Sequence, residues 1–128
     1  MCHTLSELAP WFAINFGQEN MVSVESVVLF NRNEGGPKFW ERTHNVDVRL
    51  ANELPSTAEK MFTEGVLLKS YKGPARRGER VELLSSLGWE QKRGRYLIVQ
   101  IDMASKKQPL NLKEVFVYGV PHLHTKGI

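Results

Sequence analysis

Val27-Val28-Leu29-Phe30-Asn31-Arg32-Asn33-Glu34-Gly35-Gly36-Pro37-Lys38-Phe39-Trp40-Glu41-Arg42 begins as an apolar, β-branched strand and runs straight into a loop crowded with charge, glycine and aromatic rings. Residues through Phe30 suit burial, whereas Asn31-Arg32-Asn33-Glu34 do not. The chain is therefore expected to reach the surface at Asn31, and Gly35-Gly36-Pro37 allows it to turn sharply there. An exposed loop seated on the end of a rigid strand is where binding groups collect.

Outward from this stretch the chain reads mostly as short strands. Val22, Val24, Val27, Val28 and Phe30 form a β-branched, aromatic-rich strand that leads into the loop. Trp11 to Phe16, closed by Gly17, predicts a short buried strand after a loop over the first ten residues. Asn45 to Leu50 alternates apolar and polar residues, as a strand with one wet face does. Val66 to Leu68 and Val81 to Leu84 are weaker strands around the basic turn Lys72-Gly73-Pro74-Ala75-Arg76-Arg77-Gly78. Arg95 to Asp102 and Leu110 to Tyr118 are strong ones, the second ended by Gly119. Ala51 to Lys60 reads as a connection with a helical turn at Ala58 to Phe62, and Ala104 to Pro109 as a polar connector. About seven short strands separated by turns predict an all-β, antiparallel β-sandwich.

With 128 residues, 41% hydrophobic and 24% charged, the sequence fits one globular domain. The net charge of +3, from 17 basic and 14 acidic residues, comes in short clusters rather than a sustained block, so nucleic acid is not expected as a partner. The single cysteine, Cys2, has no partner for an internal disulfide. No basic, apolar, small-residue order marks a signal peptide, and no apolar run approaches the ~20 residues of a membrane span. As written, the chain is expected to stay in the cytoplasm unless it is a fragment of a longer protein.

Three separated stretches resemble the F-type lectin (fucolectin) domain, a galactose-binding-like jelly roll related to discoidin domains. Cys2-His3-Thr4 followed by Pro10-Trp11-Phe12-Ala13-Ile14-Asn15-Phe16-Gly17 resembles the family's histidine-bearing segment and its Pro-Trp-Trp strand. Ser26-Val27-Val28-Leu29-Phe30-Asn31-Arg32 resembles the Asn-Arg strand that leads to its binding loop. Gly94-Arg95-Tyr96-Leu97-Ile98-Val99 and Leu110 to Gly119 resemble its closing strands. The resemblance implies a lectin-like sandwich over residues 1–120 and a C-terminal tail over 121–128. It leaves the basic middle, Thr63 to Gln91, without a counterpart. The family also begins with a further strand that is lacking here, which implies an exposed sheet edge open to pairing with another chain.

The resemblance implies a fucose site built from a histidine, an Arg-x-Asp element and a further Arg or Lys. His3 matches the histidine, Arg32 the first arginine, and Glu34 the acid in a longer form. Direct counting puts the last basic residue near Lys38, whereas the Glu41-Arg42 pair, followed by a strand, points to Arg42, which is the preferred match. Such donors suit sugar hydroxyls and ring oxygen, with an apolar contact on the methyl face. Phe39 and Trp40 are candidates for stacking on a sugar, or, for Trp40, for covering the end of the sandwich. Arg32 and Glu34 can equally be read as a surface ion pair. Calcium is structural in the family. Glu114 matches its glutamate ligand, but the loop that would supply the other oxygens is absent, so a complete site is not expected.

The expected function is a fucose-type carbohydrate-binding module whose partners are fucosylated glycans or cell-surface glycoconjugates, and the family's setting implies secretion, cell recognition and innate immunity. The alternative is a discoidin-like adhesion, protein- or membrane-interaction domain that has lost the sugar pocket, with Phe39-Trp40 as an apolar tip. A third reading makes Lys69 to Arg80 and Lys92-Arg93-Arg95 a polyanion site. Pairing along the exposed edge would give a homo-oligomer. His122-Leu123-His124 lacks the partner ligands of a metal site, and Cys2 beside His3 is not a spatial dyad. No phosphate loop, carboxylate pair or hydrolase elbow supports an enzyme.

Overall fold

A computed structural model describes residues 2–3, 10–17, 20–54, 65–85, 93–101 and 110–123. In chain order these form β1 (Cys2–His3), β2 (Trp11–Asn15), β3 (Asn20–Asn31), the single helical turn α1 (Pro37–Trp40), β4 (Val46–Ala51), β5 (Val66–Tyr71), β6 (Arg80–Leu84), β7 (Arg93–Gly94), β8 (Tyr96–Ile101) and β9 (Asn111–Leu123). The first sheet runs β1-β9-β3-β6, with β7 also on β3, and the second runs β2-β8-β4-β5. Every ladder is antiparallel. The expected all-β antiparallel sandwich is the observed architecture.

Strand periodicity builds the core between the sheets. Val46, Val48 and Leu50 are buried on one face of β4, while Asp47 and Arg49 occupy the other, paired at 3.1 Å. Val27 and Leu29 of β3, Val48 and Leu50 of β4, and Leu97 and Val99 of β8 meet in one cluster. Strand β3 reads imperfectly from sequence because its register slips between Val24 and Ser26. That bulge sends Val28 and Phe30 to the outer face, where Phe30 meets Phe116 of β9 edge-on, with centroids 5.7 Å apart.

Four expectations change. The opening residues are not wholly a loop, because Cys2 and His3 pair with Leu112 and Asn111; a two-residue strand has no periodicity to read. Strand β2 is half-buried rather than buried, since Phe12 and Ile14 pack on the main core while Trp11 and Ala13 cover Ala51 and Ile98 on the opposite face. The sharp turn expected at Gly35-Gly36-Pro37 runs on into a helical turn, α1, opened by Pro37, whose fixed φ suits the first helical position. Strand β9 does not stop at Gly119 but continues through Pro121 to Leu123, opposite Val22 to Asn20, and so enters the segment expected as a tail.

The expected turn at Ala58 to Phe62 and the connector Ala104 to Pro109 lie outside the described residues. From Lys113 onward, β9 has no strand partner on its β1 side among the described residues. None of the described helices is long and apolar enough to cross a membrane.

Candidate functional site

Asn31 is the last residue of β3, and against the sequence expectation it is buried, at 1% exposure. Its side chain is fully used. Nδ2 donates to the carbonyl oxygens of Trp40 at 2.9 Å and Arg76 at 2.8 Å, and Oδ1 accepts from the buried Thr43 hydroxyl at 2.7 Å. A polar side chain survives in this position because each of its groups is satisfied. One asparagine thereby ties together the end of β3, the helical turn and the loop between β5 and β6.

That second loop is fastened along its length. Asn45 N donates to Lys72 O at 2.8 Å, Ala75 N to Thr43 O at 2.9 Å, and Gly78 N to Arg32 O at 3.1 Å. Gly73 has φ of +69°, and a Cβ there would stand 2.7 Å from Thr43 O, so the close approach of the two loops requires glycine. Within the loop, Glu79 accepts from the Arg76 amide at 3.0 Å and from the Tyr71 hydroxyl at 3.4 Å.

The sequence-derived residues fall around this frame. Arg32 is half-buried immediately beyond β3, Glu34 is exposed at the following bend, Lys38 is exposed on α1, and Arg42 is half-buried in the turn after it. The side chains of His3 and Phe39 lie outside the described set. The backbone of His3 is nonetheless fixed. Cys2 stands across from Leu112, and Leu112 across from Asn31, so His3 and Arg32 are level at the same end of the first sheet. One intervening strand separates them, which is about 10 Å from backbone to backbone.

Trp40 is half-buried and is not an exposed tip, which removes it from the membrane-inserting alternative. It lines a cleft of about 630 Å³ with Glu41, Pro74, Ala75, Arg76 and Arg77. The Arg77 guanidinium lies over its ring, 5.9 Å from the centroid, and donates through Nε to Asn33 O at 3.0 Å. The indole Nε1 is buried and has no hydrogen-bond partner among the described residues.

Glu114 is exposed on β9 opposite Phe30, with Phe116 next along the same face. No group of three His, Cys, Asp or Glu able to hold a metal occurs among the described residues. One carboxylate beside aromatic rings does not fit calcium, which takes six to eight oxygens. His122 pairs with Met21 along β9, its side chain outside the described set, as is all of His124.

The structural roles of Asn31 and Thr43, and the placement of the Arg76-Arg77 pair beside Trp40, are what sequence reasoning missed here. The arginines carried the signal of a basic turn, but only the fold brings that turn to Trp40.

Burial raises the Tyr71 phenol above its usual 10.0; the nearby charge of Glu79 and the hydrogen bond to it add to the rise, and Arg76 opposes it. A folded value above the unfolded one means that the native state holds this proton more tightly. The resulting stability is complete below about pH 10 and is lost as pH climbs through the raised value. Urea unfolding of Tyr71→Phe between about pH 9 and 11 is expected to show a shallower alkaline decline than the parent protein. Parallel declines would refute that assignment.

Two antiparallel sheets closed over a shared core, with basic and aromatic groups gathered in loops at one end, define a β-sandwich binding domain. No family model and no curated protein sequence matches the chain. Among solved structures it is similar to the lectin domain of lectinolysin complexed with Lewis B antigen, at 27% identity and a TM-score of 0.65, over 91% of this chain and 69% of that one. A histidine mutant of the same lectin-binding domain, also with Lewis b, aligns at 28% identity and a TM-score of 0.64, over 90% and 68%. A fucolectin from the serum of striped bass, Morone saxatilis, shares the fold at 22% identity and a TM-score of 0.69, over 91% of this chain and 35% of that one. The chain forms an F-type lectin-like domain. The matched structures are lectins, which bind without transforming what they bind.

Proposed function

We propose that this domain binds carbohydrate, and specifically fucosylated glycans, through a site at the end of β3 in which Arg32 is the central donor. The reading is supported by the likeness to lectin domains complexed with Lewis B antigen, a fucosylated oligosaccharide. The observation that carries it to particular residues is the level placement of His3 and Arg32 on either side of β9. A guanidinium offers several N–H donors in one plane, which suits adjacent hydroxyls and a ring oxygen. In this reading His3 and Arg42 supply further donors, Glu34 orients the loop, and Phe39 covers the sugar's apolar face. The serum source of the bass fucolectin favours an extracellular setting for the same activity.

The test is a glycan array followed by titration with fucose and Lewis B oligosaccharide. Arg32→Ala is expected to weaken binding by about 10- to 100-fold, the effect of losing one or two charge-assisted hydrogen bonds. A folded protein that ignores millimolar fucose, or whose affinity is unchanged in Arg32→Ala, would overturn the reading.

A second reading has one observation in its favour. Leu84, Phe116, Tyr118 and Val120 are all exposed, and the three β9 residues line the outer face of the first sheet. Such a surface suits an adhesion or protein-interaction domain, or a homo-oligomer. Absence of glycan binding by the folded chain would leave that reading standing.

A further inference from the structure

We propose that the cleft between Trp40 and the Arg76-Arg77 pair is a second subsite, which takes the acidic group, sulfate or carboxylate, of a glycan whose neutral sugar lies at Arg32. It rests on the carbohydrate reading above and extends it to a substrate class.

The argument begins with how firmly the two arginines are held. A basic turn is ordinarily a solvated surface feature, but this one is pinned at Lys72, Ala75, Arg76 and Gly78 by bonds to Asn45, Thr43, Asn31 and Arg32. Arg77 is further fixed by its Nε bond to Asn33 O and by its position over the Trp40 ring. Those contacts use one edge and the face of the guanidinium. Neither terminal nitrogen of Arg77 hydrogen-bonds to a described residue, and neither Arg76 nor Arg77 forms an ion pair among them. A guanidinium oriented in advance and still open at its fork is suited to a two-oxygen anion.

The neighbouring carboxylates do not cancel this charge. Glu79 is turned to the Arg76 amide and the Tyr71 hydroxyl, which leaves Glu41 as the acid lining the cleft against two arginines. At about 630 Å³ the cleft is large enough for a sugar residue, and Trp40 supplies an aromatic wall for its C–H face. The same geometry argues against an extended polyanion. Two arginines converge on one concavity beside an aromatic ring, whereas a nucleic acid requires a stripe of charge and the chain carries only +3. The Gly78 N–H donates to Arg32 O, which sets the segment carrying Arg32 directly beside the one carrying Arg76 and Arg77.

The experiment titrates the full chain with three probes: neutral Lewis B oligosaccharide, a fucosylated oligosaccharide bearing one sulfate, and one bearing one sialic acid. At least one acidic probe is expected to bind about five-fold or more tightly than the neutral one, the advantage shrinking between about 50 and 300 mM salt. Which acidic probe gains identifies the source of the anion. The ratio of acidic to neutral affinity should fall to about one in Arg76→Gln/Arg77→Gln. Arg76→Gln alone, whose exposed side chain makes no hydrogen bond to a described residue, should lower that ratio without touching the Trp40 contact. Equal affinity for all three probes, or an acidic preference that survives the double substitution, overturns the subsite. Acidic binding that depends on the arginines while neutral sugar fails to bind would uphold the subsite and remove the fucose reading. Failure of every probe would overturn both.

Discussion

Asn31→Leu is expected to cost about 3 kcal/mol of folding stability and to abolish glycan binding together. The substitution keeps the size of the buried side chain but removes every polar contact at once. Trp40 O and Arg76 O, both partly buried, lose their shared donor, and the buried Thr43 hydroxyl loses its acceptor. Each buried group left unsatisfied costs on the order of 1–3 kcal/mol, offset in part by local opening of the loops. That opening is what makes the binding loss follow, since Arg32, Trp40 and Arg77 hold their positions through the same junction. Urea unfolding measures the first effect and fucose titration the second. An unchanged urea midpoint would show that the junction carries little free energy.

Gly119→Ala is expected to destabilise the sandwich by about 2–3 kcal/mol through steric conflict alone. Gly119 stands across from Val24, at the bulge of β3, and an added Cβ would run into the backbone oxygen of Ser23 and meet Val24 Cα at 3.0 Å. Both contacts are with backbone of a central strand, which cannot give way as the end of a flexible side chain could. Glycine inside a strand often marks such a close approach. Gly36→Ala is the control, because nothing lies within 4 Å of its added Cβ, and its effect should be within about 0.5 kcal/mol. Equal effects at the two sites would refute the steric account.

These two positions also show why part of the molecule could be read from the sequence and part could not. Val46, Val48 and Leu50 announce a half-buried strand by alternation, and the long β-branched runs of β3 and β9 announce the centre of a sheet. Closing motifs such as Leu110 to Gly119 linked those strands to a lectin-like sandwich. Gly119 itself was misread as a stop, because an end of strand and a close crossing of backbones leave the same residue in the sequence. Asn31 was misread as a point of exit, since burial of an amide depends on partners 9, 12 and 45 residues away. His3 and Arg32 could be named from the resemblance to F-type lectins, but their alignment across β9 comes from a two-residue strand. The pairing of Arg77 with Trp40 is likewise a product of tertiary structure, joining segments that share no sequence signal.

The junction at Asn31 makes residues 32–43 and 72–79 a single exchangeable cassette. Transplanting the first segment alone into a related sandwich would deliver Arg32 and Trp40 without the carbonyls and amides that seat them, and transplanting the second alone would leave Arg77 with no ring beneath it. Redesign of sugar preference in this domain therefore has two segments as its smallest unit, with Asn31 and Thr43 as the socket into which both are plugged.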